Sequence, residues 1–329
     1  MDKKSAQERI KHLRAAIDKY RYAYHVENKS LISDEALDSL KKELFDLEQQ
    51  FPDLVTADSP TQRVAGKPLA EFKKARHEAP MLSLTDAFSQ EDVRAWFTRL
   101  NDFLGREVKP EFYCEPKIDG LAIELVYENG LFVQGSTRGD GTVGEDVTQN
   151  LKTIEAIPLR LAKKAPKRLV VRGEVFLTKK DFARINRELE KGGKKTFANP
   201  RNLAAGTIRQ LDSAITASRK MDSFAYAVVT DFGQKTHAEE HELLHALGFK
   251  TNPDTRLLHS LDDVLKYRDE IEKKREKLPY EIDGVVIIVN DNRTFAEASA
   301  AGKGPRAATA YKFSPKEATT MVREINVQV

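Results

Sequence analysis

The chain has 329 residues, enough for two domains, and its 40% hydrophobic content can fill ordinary cores. Its 54 Lys and Arg residues nearly balance 51 Asp and Glu residues. The formal net charge of +3 therefore excludes nucleic-acid binding through overall basicity, though not through a local basic face. The single cysteine, Cys114, can by itself form neither a disulfide nor a zinc site, and no apolar run is long enough to cross a membrane. With a polar N-terminus, these features predict a cytoplasmic protein without a membrane partner.

The first region of the chain predicts two amphipathic helices. Apolar residues recur at helical spacing in two stretches, and Ser33 can cap the second one. The apolar positions are Ile10, Leu13 and Ile17 in the first helix and Leu37, Leu40, Leu44 and Leu47 in the second. Because a linker begins near residue 58, residues 1–70 are predicted to form a small helical domain.

The remainder mixes predicted strands and helices. The dipeptide Asn129-Gly130 between two β-rich runs predicts a hairpin. Further strands are predicted over 169–177, 224–230, 284–289 and 308–313, and helices over 179–190, 238–247 and 261–277. Hairpins in series with interspersed helices indicate an α+β fold, with antiparallel sheets and flanking helices, over residues 71–316.

A candidate nucleophile lies in residues 114–120, Cys-Glu-Pro-Lys-Ile-Asp-Gly, directly before a predicted strand and hairpin. An amine attacks only when it is neutral, and burial or nearby cations can lower a lysine pKa from its usual value of about 10.4. The alternative is a surface lysine in a loop, paired with Asp119. The short motif Lys-x-Asp-Gly does not by itself decide between these readings.

Seven other segments accompany this motif. They are residues 58–64 (DSPTQRV), 80–84 (PMLSL), 137–141 (TRGDG), 171–175 (VRGEV), 198–202 (ANPRN), 282–286 (IDGVV) and 311–313 (YKF). With them, the chain resembles the covalent nucleotidyltransferase superfamily of DNA ligases and mRNA capping enzymes. Over nearly its whole length it is similar to the adenylation half of bacterial NAD-dependent DNA ligases. This resemblance implies that a nucleotidyltransferase domain follows the helical one.

The resemblance implies a nucleotide pocket around the lysine. Glu115 would accept a hydrogen bond from the adenine amino group, and Tyr226 would stack on the adenine ring. Ser83 and Leu84 would bring main-chain groups to the same base. Without the resemblance, Glu115 would be half of a salt bridge and Tyr226 a buried strand residue.

Charged residues are implied for the ribose and the phosphates. Arg138 and Glu174 resemble the pair that holds the ribose and its phosphate, and Lys312 resembles the lysine that neutralises the α-phosphate. Glu174 and Asp283 are candidate Mg²⁺ ligands, because that ion prefers oxygen donors. The implied catalytic residues are Lys117, Asp119 and Lys312.

The resemblance also implies contacts with nicked double-stranded DNA. Arg201, Arg209 and Arg275 match arginines that are associated with DNA or nucleotide phosphates, and the first would lie in a loop. An enzyme that acts on nicks in any sequence needs such backbone contacts and no base recognition.

The helical domain implies NAD rather than ATP, because ATP-dependent relatives lack it. Asp34 and Asp38 share one helical face that suits the cationic nicotinamide ring, and Tyr24 can stack on that ring. The implied surface for nicotinamide mononucleotide (NMN) comprises Tyr24, His25, Asp34, Glu35, Ala36, Leu37 and Asp38.

Two positions in the implied sites depart from the family pattern. Leu37 replaces an aromatic residue that would contact NMN, so the affinity for NAD would be lower or supplied differently. Ile288, in the nucleotide pocket, stands where the family has a lysine, and it can neither donate a hydrogen bond nor carry charge. Either another basic residue substitutes, with Lys303 and Arg306 as candidates, or adenylation is slower.

The chain resembles a deliberately truncated piece of a longer protein. Residues 317–329 match the start of an oligonucleotide-binding barrel, and Zn²⁺ is expected only in a module beyond this chain. The expected activity is self-adenylation by a monomer, without nick sealing. The rival hypotheses are an ATP-dependent DNA or RNA ligase and a catalytically silent nucleic-acid-binding relative.

Overall fold

The computed structural model describes residues 1–64, 68–162, 165–302 and 304–314, together with Met321 and Glu324. Its α-helices are α1 (Lys3–His25), α2 (Asp34–Gln50), α3 (Gln90–Leu104), α4 (Thr148–Lys152), α5 (Lys179–Lys191), α6 (Pro200–Ile208), α7 (Ser213–Ser218), α8 (His237–Leu247), α9 (Leu261–Lys274) and α10 (Asn292–Ala298). Its strands are β1 (Lys74–Arg76), β2 (Asp86–Ala87), β3 (Phe112–Ile118), β4 (Leu121–Glu128), β5 (Leu131–Thr137), β6 (Val143–Glu145), β7 (Arg168–Phe176), β8 (Asp222–Val228), β9 (Arg256–Leu258), β10 (Ile282–Val289), β11 (Ala300–Ala301), β12 (Gly304–Pro305) and β13 (Ala308–Lys312). Short 3-10 helices lie at Pro52–Leu54, Pro60–Gln62 and Arg275–Lys277.

Helices α1 and α2 pack against each other because each carries one apolar stripe. Ser33 caps α2 by accepting a hydrogen bond from the Ala36 N–H, which confirms the predicted start of this helix. The small shared core consists of Ile10, Leu13, Ile17, Leu44 and Leu47, with Leu37, Leu40 and Leu54 half-buried around it.

Arg63 joins this helical unit to the rest of the chain. Its buried guanidinium donates hydrogen bonds of 3.0 to 3.1 Å to three main-chain carbonyls, those of Lys152, Ile154 and Ile157. The Glu155 carboxylate lies 3.2 Å from its Nε atom. An arginine is tolerated in the interior only where its donors find such partners. The DSPTQRV segment therefore forms a joint between the two units.

Two sheets organise the larger unit. The four-stranded sheet has the order β5-β4-β7-β8 and is antiparallel throughout. The five-stranded sheet has the order β2-β13-β10-β3-β9, and its pairs are antiparallel except for β2 with β13. The Asn129-Gly130 turn joins β4 to β5 with φ values of +50° and +79°, the signs that a type I′ hairpin turn requires.

Each sheet turns one face to a hydrophobic core, because side chains alternate along a strand. In β3, Phe112 and Cys114 enter the core that α3 and α9 cover, while Glu115 and Lys117 belong to the opposite face. The core face of the four-stranded sheet includes Ile123, Leu125, Val171 and Val175. The two remaining faces line the candidate site.

The mixed architecture, with its helical N-terminal region and antiparallel sheets, confirms the predicted α+β fold. The segment with Lys117 lies directly before strand β4 and its hairpin, as predicted, but it is itself strand β3, which was not predicted. One local expectation is wrong, because Arg201 lies in the first turn of α6 rather than in a loop. Asn199 caps that helix, and Pro200 at its first position suits a helix start.

The predicted domain boundaries after residues 70 and 316 stay predictions. Residues 317–329, the expected start of a barrel, lie outside the described residues apart from Met321 and Glu324. Among the described helices, none combines the length and the apolar character that crossing a bilayer requires.

Candidate functional site

Three neighbouring strands of the five-stranded sheet place two lysines in one row. Lys117 of β3 and Lys312 of β13 both pair with Gly284, which stands between them on β10. The Asp283 carboxylate serves both amines. Its Oδ2 atom is 2.5 Å from Lys312 Nζ, and its Oδ1 atom is 3.4 Å from Lys117 Nζ. The lysine side chains are only 22% and 19% exposed, so both amines lie in a partly enclosed pocket.

Glu115 lies two residues before Lys117, on the same face of β3, and is buried. Burial raises the pKa of its carboxyl to about 7, while the nearby His237 acts in the opposite direction. Its Oε2 atom is 3.5 Å from Nε2 of His241. A carboxyl in this position can accept a hydrogen bond from an amino group at the edge of a planar base.

Glu174 of β7 and Tyr226 of β8 form the opposite wall, on the four-stranded sheet. Burial raises the pKa of Glu174 to about 7, although the charge of Lys117 lowers it. Burial also raises the pKa of the Tyr226 hydroxyl, and the carboxylates of Glu174 and Glu115 add to this effect. These electrostatic effects indicate that the four groups lie near one another, with Lys117 and Glu115 on one sheet and Glu174 and Tyr226 on the other.

A buried polar network that the sequence analysis missed supports Arg138. The Arg138 Nη1 atom lies 3.4 Å from the Ser83 hydroxyl, and its carbonyl is 3.0 Å from Nε2 of His77. Nδ1 of the same imidazole is 3.1 Å from Glu124, whose other carboxylate oxygen accepts from Arg172 at 3.1 Å. The sequence signal was a glutamate and an arginine, Glu124 and Arg172, in the middle of apolar strands. Polar groups that are buried at such positions need hydrogen-bond partners.

Arg201 belongs to the same pocket. Its Nη1 atom is 3.2 Å from Oδ1 of Asp119, the acidic residue of the Lys-x-Asp-Gly motif. Its positive charge also lowers the pKa of Glu174, after the larger effect of Lys117. Asp119 thus contacts an arginine rather than Lys117 in this structure.

The other two arginines lie farther from the lysines. Arg209, at the end of α6, pairs with Glu145 at 2.7 Å and is about half exposed. The Arg275 guanidinium lies 5.5 Å from the ring centre of Phe313, and its buried Nε atom has no hydrogen-bond partner. The structure does not join either residue to Lys117 by a contact.

The predicted NMN surface is split. Tyr24 is exposed, and its ring is 4.8 Å from that of His25. Both line a pocket where the helical unit meets β8, together with Asn28, Ser30, Asp222 and Lys250. Asp34, Glu35, Ala36 and Asp38 are exposed in the first turns of α2. Within the described part of the chain, the side chains of these four make no hydrogen bond or ion pair to the lysine pocket.

Leu37 and Ile288, the two departures from the family pattern, are both packed. Leu37 lies half-buried against the core of the helical unit. Ile288 is buried on the pocket face of β10, within a small apolar patch formed with Val286, Ala308 and the half-buried Leu84. The position that carries a lysine in the family therefore carries a hydrophobic contact here.

Arg306, one candidate to replace that lysine, makes its described contacts with other segments. Its Nη1 atom donates to the carbonyls of Ala298 and Ala300, at 3.1 and 2.6 Å. The guanidinium also lies 3.9 Å from the ring centre of Phe103. These contacts engage its Nη1 atom and the face of its guanidinium. The other candidate, Lys303, lies outside the described residues.

Two family models match most of the chain. The model described as the NAD-dependent DNA ligase adenylation domain matches residues 69–316. The chain belongs to the NAD-dependent DNA ligase family. A second model of this ligase family, described as the DNA ligase-like, N-terminal NAD+-binding domain, matches residues 3–65. The family resemblance drawn from the motifs is thereby confirmed.

Curated relatives in this ligase family match along the whole chain. The DNA ligase of Shouchella clausii is 45% identical over 331 residues, and that of Geotalea uraniireducens is 48% identical over 335 residues. These alignments cover 100% of this chain but 49% and 50% of the relatives, so the chain spans about half their length. Among solved structures, the ATP-dependent DNA ligase from bacteriophage T7 in complex with ATP is 10% identical, with a TM-score of 0.37 over 69% of this chain and 67% of that one.

Proposed function

We propose that this chain transfers the AMP half of NAD to Lys117. The single observation that carries the proposal is the row of Lys117 and Lys312 around Gly284, with one carboxylate between the two amines. In the proposed step, the neutral amine of Lys117 attacks the α-phosphorus. The bond from phosphorus to the NMN oxygen breaks, and NMN leaves with the electron pair. The attacking nitrogen then loses one proton to solvent, and a lysyl-AMP phosphoramidate remains.

Electrostatics and positioning account for the other residues of the pocket. An α-phosphate that takes the place of the Asp283 carboxylate would meet two amines at once, so Lys312 would neutralise it during the attack. Glu115 would accept from the adenine amino group, Tyr226 would stack on the ring, and Ser83 and Leu84 would approach it with main-chain groups. Glu174 and Arg138 would hold the ribose and phosphate, and Asp119 would keep Arg201 in the pocket.

Asp283 and Glu174 suit Mg²⁺ as ligands. The buried Oδ1 atom of Asp283 accepts no hydrogen bond, although Lys117 Nζ lies 3.4 Å away, and such a hard oxygen is a fitting partner for this ion. Two protein carboxylates are few, but Mg²⁺ keeps several waters and also binds substrate phosphates. When bound, the ion would supply charge neutralisation at the phosphate.

The further partners are proposed from the family. Tyr24, His25 and the acidic first turns of α2, Asp34 to Asp38 with Leu37 among them, would bind NMN. Arg201, Arg209 and Arg275 would contact the phosphates of nicked double-stranded DNA, to whose 5′-phosphate the AMP would pass in a full-length enzyme. We propose a cytoplasmic monomer, and we expect no nick sealing from this chain alone.

Intact-mass measurement tests the proposed function. We expect a gain of one adenylyl group after incubation with NAD and Mg²⁺, and none with ATP or with NAD and a chelator. The Lys117→Ala variant should stay unmodified, whereas Lys266→Ala, at a side chain that is 74% exposed, should react normally. Modification by ATP instead would favour the ATP-dependent rival. DNA binding without an adduct under any nucleotide would favour the silent relative, for which the apolar patch around Ile288 is the one supporting observation.

A further inference from the structure

A buried cluster of three metal-binding side chains lies beside the candidate adenine position. Glu115 comes from β3, and His237 and His241 come from one face of α8, four residues apart. Each offers one ligand atom, and these atoms all lie within 4.8 Å of one another. The three residues are 8%, 6% and 6% exposed.

His237 presents a ring nitrogen without a partner to this cluster. Its Nδ1 atom faces Oε2 of Glu240 at 3.4 Å. That carboxylate is fixed by hydrogen bonds from the Val228 N–H and the Asn292 amide. The buried Nε2 atom on the other side of the ring has no hydrogen-bond partner among the described residues.

His241 repeats the arrangement from the next turn of α8. Its Nε2 atom lies 3.5 Å from Oε2 of Glu115, yet neither of its ring nitrogens makes a hydrogen bond. Both nitrogens of this buried ring are therefore open to a ligand.

We propose that Glu115, His237 and His241 form a binding site for a transition-metal dication such as Zn²⁺. Two imidazoles and a carboxyl group, whose ligand atoms converge in a buried space, offer a cation three donor atoms. Two histidines and one carboxylate are a common zinc ligand set, with the fourth position left to water. The Glu240 carboxylate behind His237 is the orienting partner that metal-binding histidines usually have. Zinc–nitrogen distances of about 2.0–2.1 Å require the three side chains to close by roughly 1 Å.

The consequence for the ligase concerns Glu115. If this carboxylate holds the adenine amino group, as the proposed function states, a metal ion and adenine cannot use it together. A chain with bound metal then cannot carry out the adenylation reaction. The competition between metal and adenine rests on the proposed function, whereas the metal site itself does not. The proposal departs from the expectation that zinc binds only beyond this chain.

Titration with Co²⁺, followed by displacement with Zn²⁺, tests the site. We expect one equivalent of tightly bound Co²⁺ with the strong visible absorption of a four-coordinate ion. Binding should weaken at least tenfold in His237→Ala and in His241→Ala. His245→Ala is the matched control, because this histidine lies on the same helix but is exposed, and it should bind like the unaltered chain. The His→Gln variants and circular dichroism separate ligand loss from unfolding.

Three results would be decisive. Equal Co²⁺ binding in the His237, His241 and His245 variants, or no bound equivalent at all, would overturn the metal site. Persistence of the visible spectrum at saturating NAD would overturn the competition with adenine. Intact metal binding in a chain that never self-adenylates would overturn the proposed function alone.

Discussion

Lys117 and Lys312 stand on opposite sides of Gly284, in one row across three strands. They come from positions 195 residues apart in the chain, and only the register of β3, β10 and β13 brings them together. Asp283 contacts both amines. In the proposed reaction the two lysines would have different roles, Lys117 as the attacking amine and Lys312 as the cation beside the phosphate.

Replacing Lys312 tests that division. We expect Lys312→Ala to slow the formation of lysyl-AMP by about 100-fold, comparable to the loss of one oxyanion-stabilising group. Lys312→Arg should lose less, because it keeps the charge. Single-turnover adenylation with NAD measures the rate, with Lys266→Ala as the surface control. An unchanged rate in Lys312→Ala would refute its role at the phosphate.

Close packing explains why position 120, the last of the Lys-x-Asp-Gly motif, is a glycine. A Cβ atom on Gly120 would lie 2.3 Å from the Val175 carbonyl oxygen and 2.9 Å from Cγ of Glu174. Gly120→Ala should therefore lower the free energy of unfolding by about 1–3 kcal/mol. Gly206→Ala is the contrast, because its nearest neighbour is 3.6 Å away and alanine favours a helix by up to about 1 kcal/mol. Denaturant unfolding measures both, and equal effects would contradict the argument.

The variant Ile288→Lys tests whether a lysine at this position, as in the family pattern, improves adenylation. We expect the new amine to raise kcat/KM for adenylation if the nucleotide reaches this face of β10. Its burial in the apolar patch should cost about 1–3 kcal/mol of stability. Ile288→Met keeps the site apolar and should change neither value much. A slower reaction in a folded Ile288→Lys protein would show that this chain binds its nucleotide without a group at position 288.

The stability of the helical unit should depend on pH through His25. Burial lowers the pKa of this imidazole to about 4, from 6.5 in an exposed reference, while Glu155 and Asp222 oppose the shift. Between these two pKa values the unfolded chain binds a proton at this imidazole and the folded chain does not. The free energy of unfolding therefore falls as the pH falls from about 6.5 to about 4. His25→Gln should flatten this dependence, and the exposed His12→Gln should not. Denaturant unfolding at several pH values decides, and parallel curves for all three proteins would disprove the effect.

The motifs predicted the pocket because each one contains its reactive or charged residues within a few consecutive positions. Lys117, Glu174 and Asp283 sit in such segments, and the structure brings them to one space. Hairpin and helix signals were also local, as with Asn129-Gly130 and Ser33. These features depend on short-range chemistry, so the sequence alone could predict them.

Long-range packing set the limits of the prediction. The network of His77, Glu124 and Arg172 joins residues from three separate segments, and no single segment identifies its partners. Helix α3 was missed although the Ser89–Asp92 capping box and Gly105 mark its ends. The apolar surroundings of Ile288 follow from the register of three distant strands, which composition and spacing do not specify.

Peptide mass spectrometry that locates the adenylyl group tests the role of Lys117 most directly. After reaction with NAD and Mg²⁺, we expect a single modified residue, Lys117, in the peptide that spans strand β3. An adduct on Lys312, on any other side chain, or on none would contradict this role.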